Sequence, residues 1–261
     1  MRSEVLREFW DYRELFFFMV WKDVKIRYKQ TLLGTSWAVI QPFLTMVIFT
    51  LFFGKLAKMP SDGIPYPIFS YTALLPWAYF AGALSLSGNS LVTNKNLVTK
   101  VYFPRVAIPA SAVMCGLVDF AIAFVVLLAM MFYYGITPGW GLILWPVLVL
   151  PLMLLALGVG MILAALNVKY RDIKHAIPFA VQMLLFLTPI IYPTSIVPER
   201  VRTIVALNPL VGIIDAFRAT AIPTRQVDWQ LLGMGVAISL GIFLAGFIYF
   251  RIAEKQFADV I

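Results

Sequence analysis

The 261-residue sequence predicts an all-α integral membrane protein. It has six transmembrane helices, an N-terminal amphipathic interfacial helix, and re-entrant external helices between spans 5 and 6. Hydrophobic residues make up 61% of the chain and gather into six long runs. Charged residues make up 13%, about half the roughly 25% of soluble domains. The basic residues cluster at the ends of the runs, where they orient a membrane protein.

The runs are Leu32 to Phe53, Ile68 to Leu91, Val106 to Tyr134, Leu142 to Val168, Ala176 to Tyr192 and Leu231 to Phe250. A helix needs about 20 apolar residues to cross the ~30 Å hydrocarbon core. All but the fifth reach that length, and the fifth, with about 17, lies within the usual range. Residues 1–31 are too few to build a globular core, so they form a cytoplasmic amphipathic segment, and 32–261 form the six-span transmembrane domain.

Lys and Arg set the orientation. One side holds Arg2, Arg7, Arg13, Lys22, Lys25, Arg27 and Lys29, then Lys95, Lys100 and Arg105, then Lys169, Arg171 and Lys174, then Arg251 and Lys255. The other holds Lys55, Lys58, Arg200, Arg202, Arg218 and Arg225. The positive-inside rule puts both termini in the cytoplasm. The same placement explains the net charge of +8 without nucleic acid. No cleavage site follows the first run, so no signal peptide is expected.

Along the chain, Val5, Phe9, Tyr12, Phe16, Val20 and Val24 recur at helical spacing and give the N-terminal segment one apolar face. With basic residues nearby, this predicts a helix lying on membrane lipids rather than a plain topogenic segment. The connection Asn89 to Pro104 is polar and basic. It predicts a short cytoplasmic helix over about 94–104, with Asn94 as N-cap and Pro104 as stop. Gly54 to Pro67 and Gly135 to Gly141 are short external connections, and Asn167 to Ala176 is a charged cytoplasmic one. The segment Thr203 to Ile222 is apolar but contains Asn208-Pro209, Asp215 and Arg218. As a full span it would bury two charges, each costing about 2.5–3.5 kcal/mol. Charge counting does not decide between this and two half-helices broken at Asn208-Pro209. The half-helix reading fits the helix-breaking chemistry of proline, with Asp215 and Arg218 paired on one face toward a wet vestibule.

Catalytic chemistry is thin. The single histidine, His175, has no serine in motif context, and no His or Cys pair has metal-ligand spacing. Cys115 lies inside the third run, where small apolar packing is expected. No G-x-x-x-x-G-K-[ST] loop exists, so any ATPase must be another chain. Asp119 lies inside the third run with no basic partner in the neighbouring runs, so structural and functional roles weigh equally. Gln41 and Gln182 are intramembrane polar groups that must face protein or a cavity. Trp37, Trp77, Trp140, Trp145 and Tyr192 fall near span ends, whereas Phe43, Phe49, Phe80 and Phe186 fall deeper. Interfacial belts explain the first group; rings on a pore wall or ordinary packing explain the second.

Five motifs in order carry a family resemblance. They are RYKQTLLGTSWAVIQP from Arg27, LLPWAYFAGALSLSGNSLV from Leu74, NKNLVTKVYFPR from Asn94, YRDIKHAIPFAVQMLLFLTPIIYP from Tyr170 and LNPLVGIIDAFR from Leu207. Together they resemble the permease subunit of bacterial polysaccharide ABC exporters, which move O-antigen, capsule, teichoic acid and related polymers. The resemblance implies a homodimer of six-span subunits in the cytoplasmic membrane, paired with two copies of an ATPase that holds ATP and magnesium. This chain would need no cofactor or metal. The resemblance also implies that Lys95, Asn96, Leu97, Val98, Thr99, Lys100, Val101 and Tyr102 form the coupling helix. Trp37, Gln41, Phe43, Phe80, Gln182 and Phe186 are then candidates for the path of a lipid-linked glycan. Asn208, Pro209, Asp215 and Arg218 are candidates for an external gate.

Other classes fit less well. A membrane glycosyltransferase or phosphatase needs a clustered acid or histidine site, and the acids here are scattered. An ion-coupled carrier often shows inverted repeats, and none is visible. A drug or lipid exporter of the same superfamily is the nearest alternative.

Overall fold

The described part of each apolar run is largely helical, and proline and glycine decide where the helices bend, stop or touch. A computed structural model of the protein describes residues 11–29, 36–100, 103–222 and 225–257. The α-helices in order are α1 (Arg13–Lys29), α2 (Trp37–Phe49), α3 (Tyr66–Thr93), α4 (Lys95–Lys100) and α5 (Ala107–Tyr133). They continue as α6 (Trp145–Lys169), α7 (Ile173–Leu187), α8 (Glu199–Ala206), α9 (Pro209–Ala221) and α10 (Trp229–Ala253). A π-helical stretch, Thr50–Leu56, extends α2, and a 3-10 turn, Trp140–Leu144, leads into α6. No strand occurs among the described residues.

Among the described residues, four helical stretches are long and apolar enough to cross a membrane: 37–56, 107–133, 140–169 and 229–253. The bent pair α8–α9 would make a fifth if counted as one span. Helix α3 has ample length, 28 residues, but carries several polar side chains. Ser70, Thr72, Ser87 and Ser90 are turned inward and buried. The fifth run departs from expectation. Its helix begins at Ile173, earlier than the run, and ends at Leu187 after 15 residues. The cause is local: Pro189 pushes the residue before it out of the α region, and Thr188 is extended (φ −104°, ψ 138°).

Helix α3 is the central post. It packs most heavily on α5 and α6, and α6 in turn packs on α10. The α6–α10 contact depends on glycine. A Cβ on Gly246 would lie 2.2 Å from the Gly158 carbonyl oxygen, so the two backbones touch where small residues allow it. Helix α9 is wedged against α3, α6 and α10. Its residues from Leu210 to Ala221 are all buried. Trp145 meets Phe217 edge-on at 4.9 Å, and its Nε1 donates to Thr220 Oγ1 at 3.1 Å.

A second, smaller apolar cluster sits at the other pole. It joins Met19, Leu91, Val98, Phe103, Val106, Ala164 and Phe250. Helix α1 docks there and then runs along α5. Val5 and Phe9 lie outside the described residues; Tyr12, Leu15 and Phe16 pack against the cluster, and Met19 enters it. The outward face of α1 is also apolar, with Phe17, Phe18, Trp21 and Ile26 exposed. Cys115 is buried within α5, as expected of a small packing residue.

Candidate functional site

Three regions concentrate the polar and aromatic side chains: a half-open cavity between helices, the α4 pole, and the α8–α9 bend at the opposite pole.

The cavity has a volume of about 670 Å³ and lies between α2, α3, α5 and α7, with the last turn of α1 in its wall. Trp37 and Gln41 on α2 and Gln182 on α7 line it together, so three of the proposed path residues meet at one place. Trp77, Tyr79 and Phe120 add rings, and Thr45 and Ser85 add hydroxyls. The wall therefore offers flat apolar faces beside neutral hydrogen-bonding groups. The other path residues fall elsewhere. Phe80 is a core residue, 2% exposed, tilted against Trp77 with ring centroids 6.0 Å apart. Its position on α3 faces the packed side of the central post, which periodicity over a wholly apolar run does not reveal. Phe43 lies on a separate groove between α2 and α5, beside Met46, Val126 and Tyr133. Phe186 is exposed on the outer face of α7.

Asp119 is in the same cavity wall, and it has a partner. Arg27 Nη2 lies 2.6 Å from Asp119 Oδ2. The Tyr28 hydroxyl donates to the other carboxylate oxygen. Burial first, and then the adjacent carboxylate, push the Tyr28 phenol above its usual range, so it stays a proton donor. The sequence offered no basic partner because the neighbouring runs contain none. The partner comes instead from α1, an element expected to lie on the surface. One signal was available: Asp23 and Arg27, four apart, share a helical face that must meet something polar.

At the second pole, Asn94 does not cap α4 with its side chain. Its Nδ2 donates back to the Ser90 carbonyl at 2.9 Å, and its Oδ1 accepts from Lys22 Nζ at 3.0 Å. Lys95, Asn96, Thr99 and Lys100 are exposed, and Leu97 is half-buried. Val98 is 3% exposed and belongs to the second apolar cluster, so it holds α4 to its own protein. Val101 and Tyr102 lie outside the described residues.

At the opposite pole, α8 and α9 meet at 95°. Asn208 makes the bend. Its Oδ1 accepts from the Leu210 amide at 3.1 Å, its Nδ2 donates to Thr188 Oγ1 at 3.0 Å, and Pro209 takes the first helical position. The expected Asp215–Arg218 pair does not form. Asp215 instead pairs with Arg225 (2.6 Å) and accepts from Thr194 Oγ1 (2.8 Å). Arg225 also reaches Asp62 at 3.1 Å. Arg218 is fully buried and faces no vestibule. Its guanidinium donates to the carbonyls of Phe69, Pro189, Ile190 and Tyr192, and lies 3.9 Å from the Phe69 ring centre. The reason is geometric: the chain turn at 188–192 leaves carbonyls pointing inward without helical donors. Arginine's planar fork of donors satisfies several at once.

The sequence profile of the ABC-2 type transporter family matches residues 14–222. This chain belongs to that family. It is 31% identical to an O-antigen export system permease protein of Myxococcus xanthus, over 98% of this chain and 99% of the relative. It is 28% identical to an O-antigen export system permease protein of Klebsiella pneumoniae, over 92% of each. It is 24% identical to a polysialic acid transport protein of Escherichia coli, over 86% of this chain and 88% of the relative. The family match starts inside α1 and ends at the close of α9, so it spans the cavity, α4 and the α8–α9 bend.

Proposed function

We propose that this ABC-2 type chain is the transmembrane subunit of an ATP-driven exporter. Its cargo is a lipid-linked polysaccharide, moved across the bacterial cytoplasmic membrane. The observation that carries this reading is its collinear similarity, over almost the whole of both chains, to an O-antigen export permease. The cavity supports it. Indole and phenyl faces beside Gln41, Gln182, Thr45 and Ser85 suit sugar rings and hydroxyls, and the wall's two charges, Arg27 and Asp119, are spent on each other.

The chain itself is non-catalytic in this reading, and ATP with magnesium sits on two copies of a separate ATPase. Two copies of this chain, each with six spans and cytoplasmic termini, form the channel. The exposed faces of α2 and α7, with Leu44, Ile48, Phe179, Met183 and Phe186, are available for that pairing and for membrane lipids. Residues 1–31 serve as the interfacial segment and 32–261 as the permeating domain. Helix α4 presents Lys95, Asn96, Leu97, Thr99 and Lys100 to the ATPase. Helices α8 and α9 dip into the outer leaflet and return, with the Asn208-Pro209 bend at the exit. The fully buried α9 makes that segment a fixed wedge, so movement at the exit falls to α8.

Deleting the gene and following the cell's surface polysaccharide tests the reading. Polymer should accumulate inside the cell and disappear from the surface. Unchanged surface polymer, with no internal pool, would refute it.

A further inference from the structure

Helix α2 has two working faces. Trp37, Gln41 and Thr45 line the cavity, while Phe43 and Val47, on the opposite side of the helix, turn to the groove shared with α5. That groove has a volume of about 520 Å³. Its walls are mostly apolar side chains, of α2 and its π-helical extension from Phe43 to Leu51 and of α5 from Val126 to Met130. At one end its character changes, because Lys55, Tyr133 and Tyr134 stand there. Lys55 is exposed and enters no ion pair or hydrogen bond among the described residues. The two phenol rings meet edge-on at 5.2 Å, and both are exposed.

The backbone builds that end. Lys55 lies in the π-helical stretch Thr50–Leu56, and π-helical turns are rare and gather at functional sites. Gly54 seats the stretch against α3, since a Cβ there would lie 2.9 Å from the Tyr66 ring. The neighbouring Lys55 is left on the groove side. From Phe43 to Lys55 the wall runs twelve residues, roughly 18 Å at helical rise. One leaflet of hydrocarbon is about half of the ~30 Å core, so the groove has the length of a single leaflet. It is apolar along that length, with a free cation and two phenol donors at its end. That is the complement of a chain-bearing amphiphile with an anionic head.

We propose that the α2–α5 groove is a binding site for one anionic phospholipid. An acyl chain lies between Phe43 and Met130, and the phosphodiester sits at Lys55. The ammonium makes a charge-assisted hydrogen bond to the phosphate, and the tyrosine hydroxyls donate beside it. A single lysine matches the single charge of a phosphodiester better than the higher charge of a diphosphate, so the occupant is a resident membrane lipid and not cargo. The bound lipid fills the space behind α2 and supports the helix whose other face lines the cavity. The site depends on the chain's lying in a membrane and not on the exporter reading.

The test takes the purified full chain in mixed micelles of equal phosphatidylglycerol and phosphatidylethanolamine, and counts retained lipid by native mass spectrometry. The chain should keep one phosphatidylglycerol, favoured at least fivefold over phosphatidylethanolamine. Lys55→Glu should abolish that preference. Ala129→Trp, which fills the groove from an exposed position, should remove the retained lipid. Both changes lie on the exposed surface, so a monodisperse, helical variant is expected in each case. Phosphatidylethanolamine held as firmly as phosphatidylglycerol would overturn the site, leaving only ordinary lipid contact. Retention unchanged in Lys55→Glu or in Ala129→Trp would overturn it as well. A last arm asks whether a second copy covers the groove instead. On a Cys115→Ser background, Ala129→Cys should stay uncrosslinked between copies when membranes are treated with a short bifunctional thiol reagent. Efficient cross-linking there would assign the groove to a second copy and end the lipid proposal.

Discussion

Replacing Arg218 by methionine removes the guanidinium while keeping most of the side-chain volume. In the native protein this group is 0% exposed and donates to carbonyls of Phe69, Pro189, Ile190 and Tyr192. Each carbonyl left buried without a donor costs about 1–3 kcal/mol. The losses are not additive, because the 188–192 turn can relax and water can enter from the α8–α9 pole. The cation–π contact with Phe69, at 3.9 Å, adds about 1–2 kcal/mol when desolvated. Against this, the charge no longer has to be buried, which returns part of the loss. The balance is a net destabilisation of about 3–5 kcal/mol, a hundredfold or more in the folded-to-unfolded ratio. Arg218→Lys should fall between, because a single ammonium reaches fewer carbonyls than a planar fork. The assay is thermal unfolding of the purified protein, followed by loss of its monodisperse peak. The Met variant should unfold well before Lys, and Lys before the native chain. A Met variant as stable as native would refute the reasoning, since the turn would then not depend on the guanidinium.

Asp215→Ala and Arg225→Ala should each destabilise, and the double variant should cost less than their sum by about 1–3 kcal/mol, measured as a double-mutant cycle in unfolding. Gly246→Leu should force α6 and α10 apart and cost more than about 2 kcal/mol; native-like unfolding would contradict the close backbone contact. Val98→Asp should reduce the amount of folded protein, whereas Lys95→Glu with Lys100→Glu should leave folding intact and weaken co-purification of the ATPase. If the double charge reversal co-purifies the ATPase at native levels, the proposed α4 contact fails. Trp37→Ala, which removes an exposed ring of the cavity wall, should slow export at constant ATP hydrolysis if sugar rings stack there, measured in vesicles; unchanged export would refute the stacking.

The helical class of this protein was legible in the chain because it follows from composition and local chemistry. Long apolar runs have nowhere to satisfy their backbone except within helices. The Asn208-Pro209 break was likewise local, since a missing amide donor and a capping side chain act within one turn. The end of α7 was also written locally, in Thr188-Pro189, but the apolar run across it concealed the signal.

What the chain alone did not determine was which face of each helix meets which neighbour. In a run that is apolar all round, periodicity carries no direction, so Phe80 was indistinguishable from a wall residue until packing put it in the core. Long-range charge pairing was equally hidden. Asp215 and Arg218 sit three apart on one helix, yet the fold offers Asp215 a closer partner in Arg225 and offers Arg218 a ring of orphaned carbonyls. Asp119 looked solitary because its partner, Arg27, is 92 residues away on an element expected at the surface. The tertiary structure decided these pairings because a charge removed from water must be satisfied by whatever the fold brings within reach. Sequence spacing has no say in that choice.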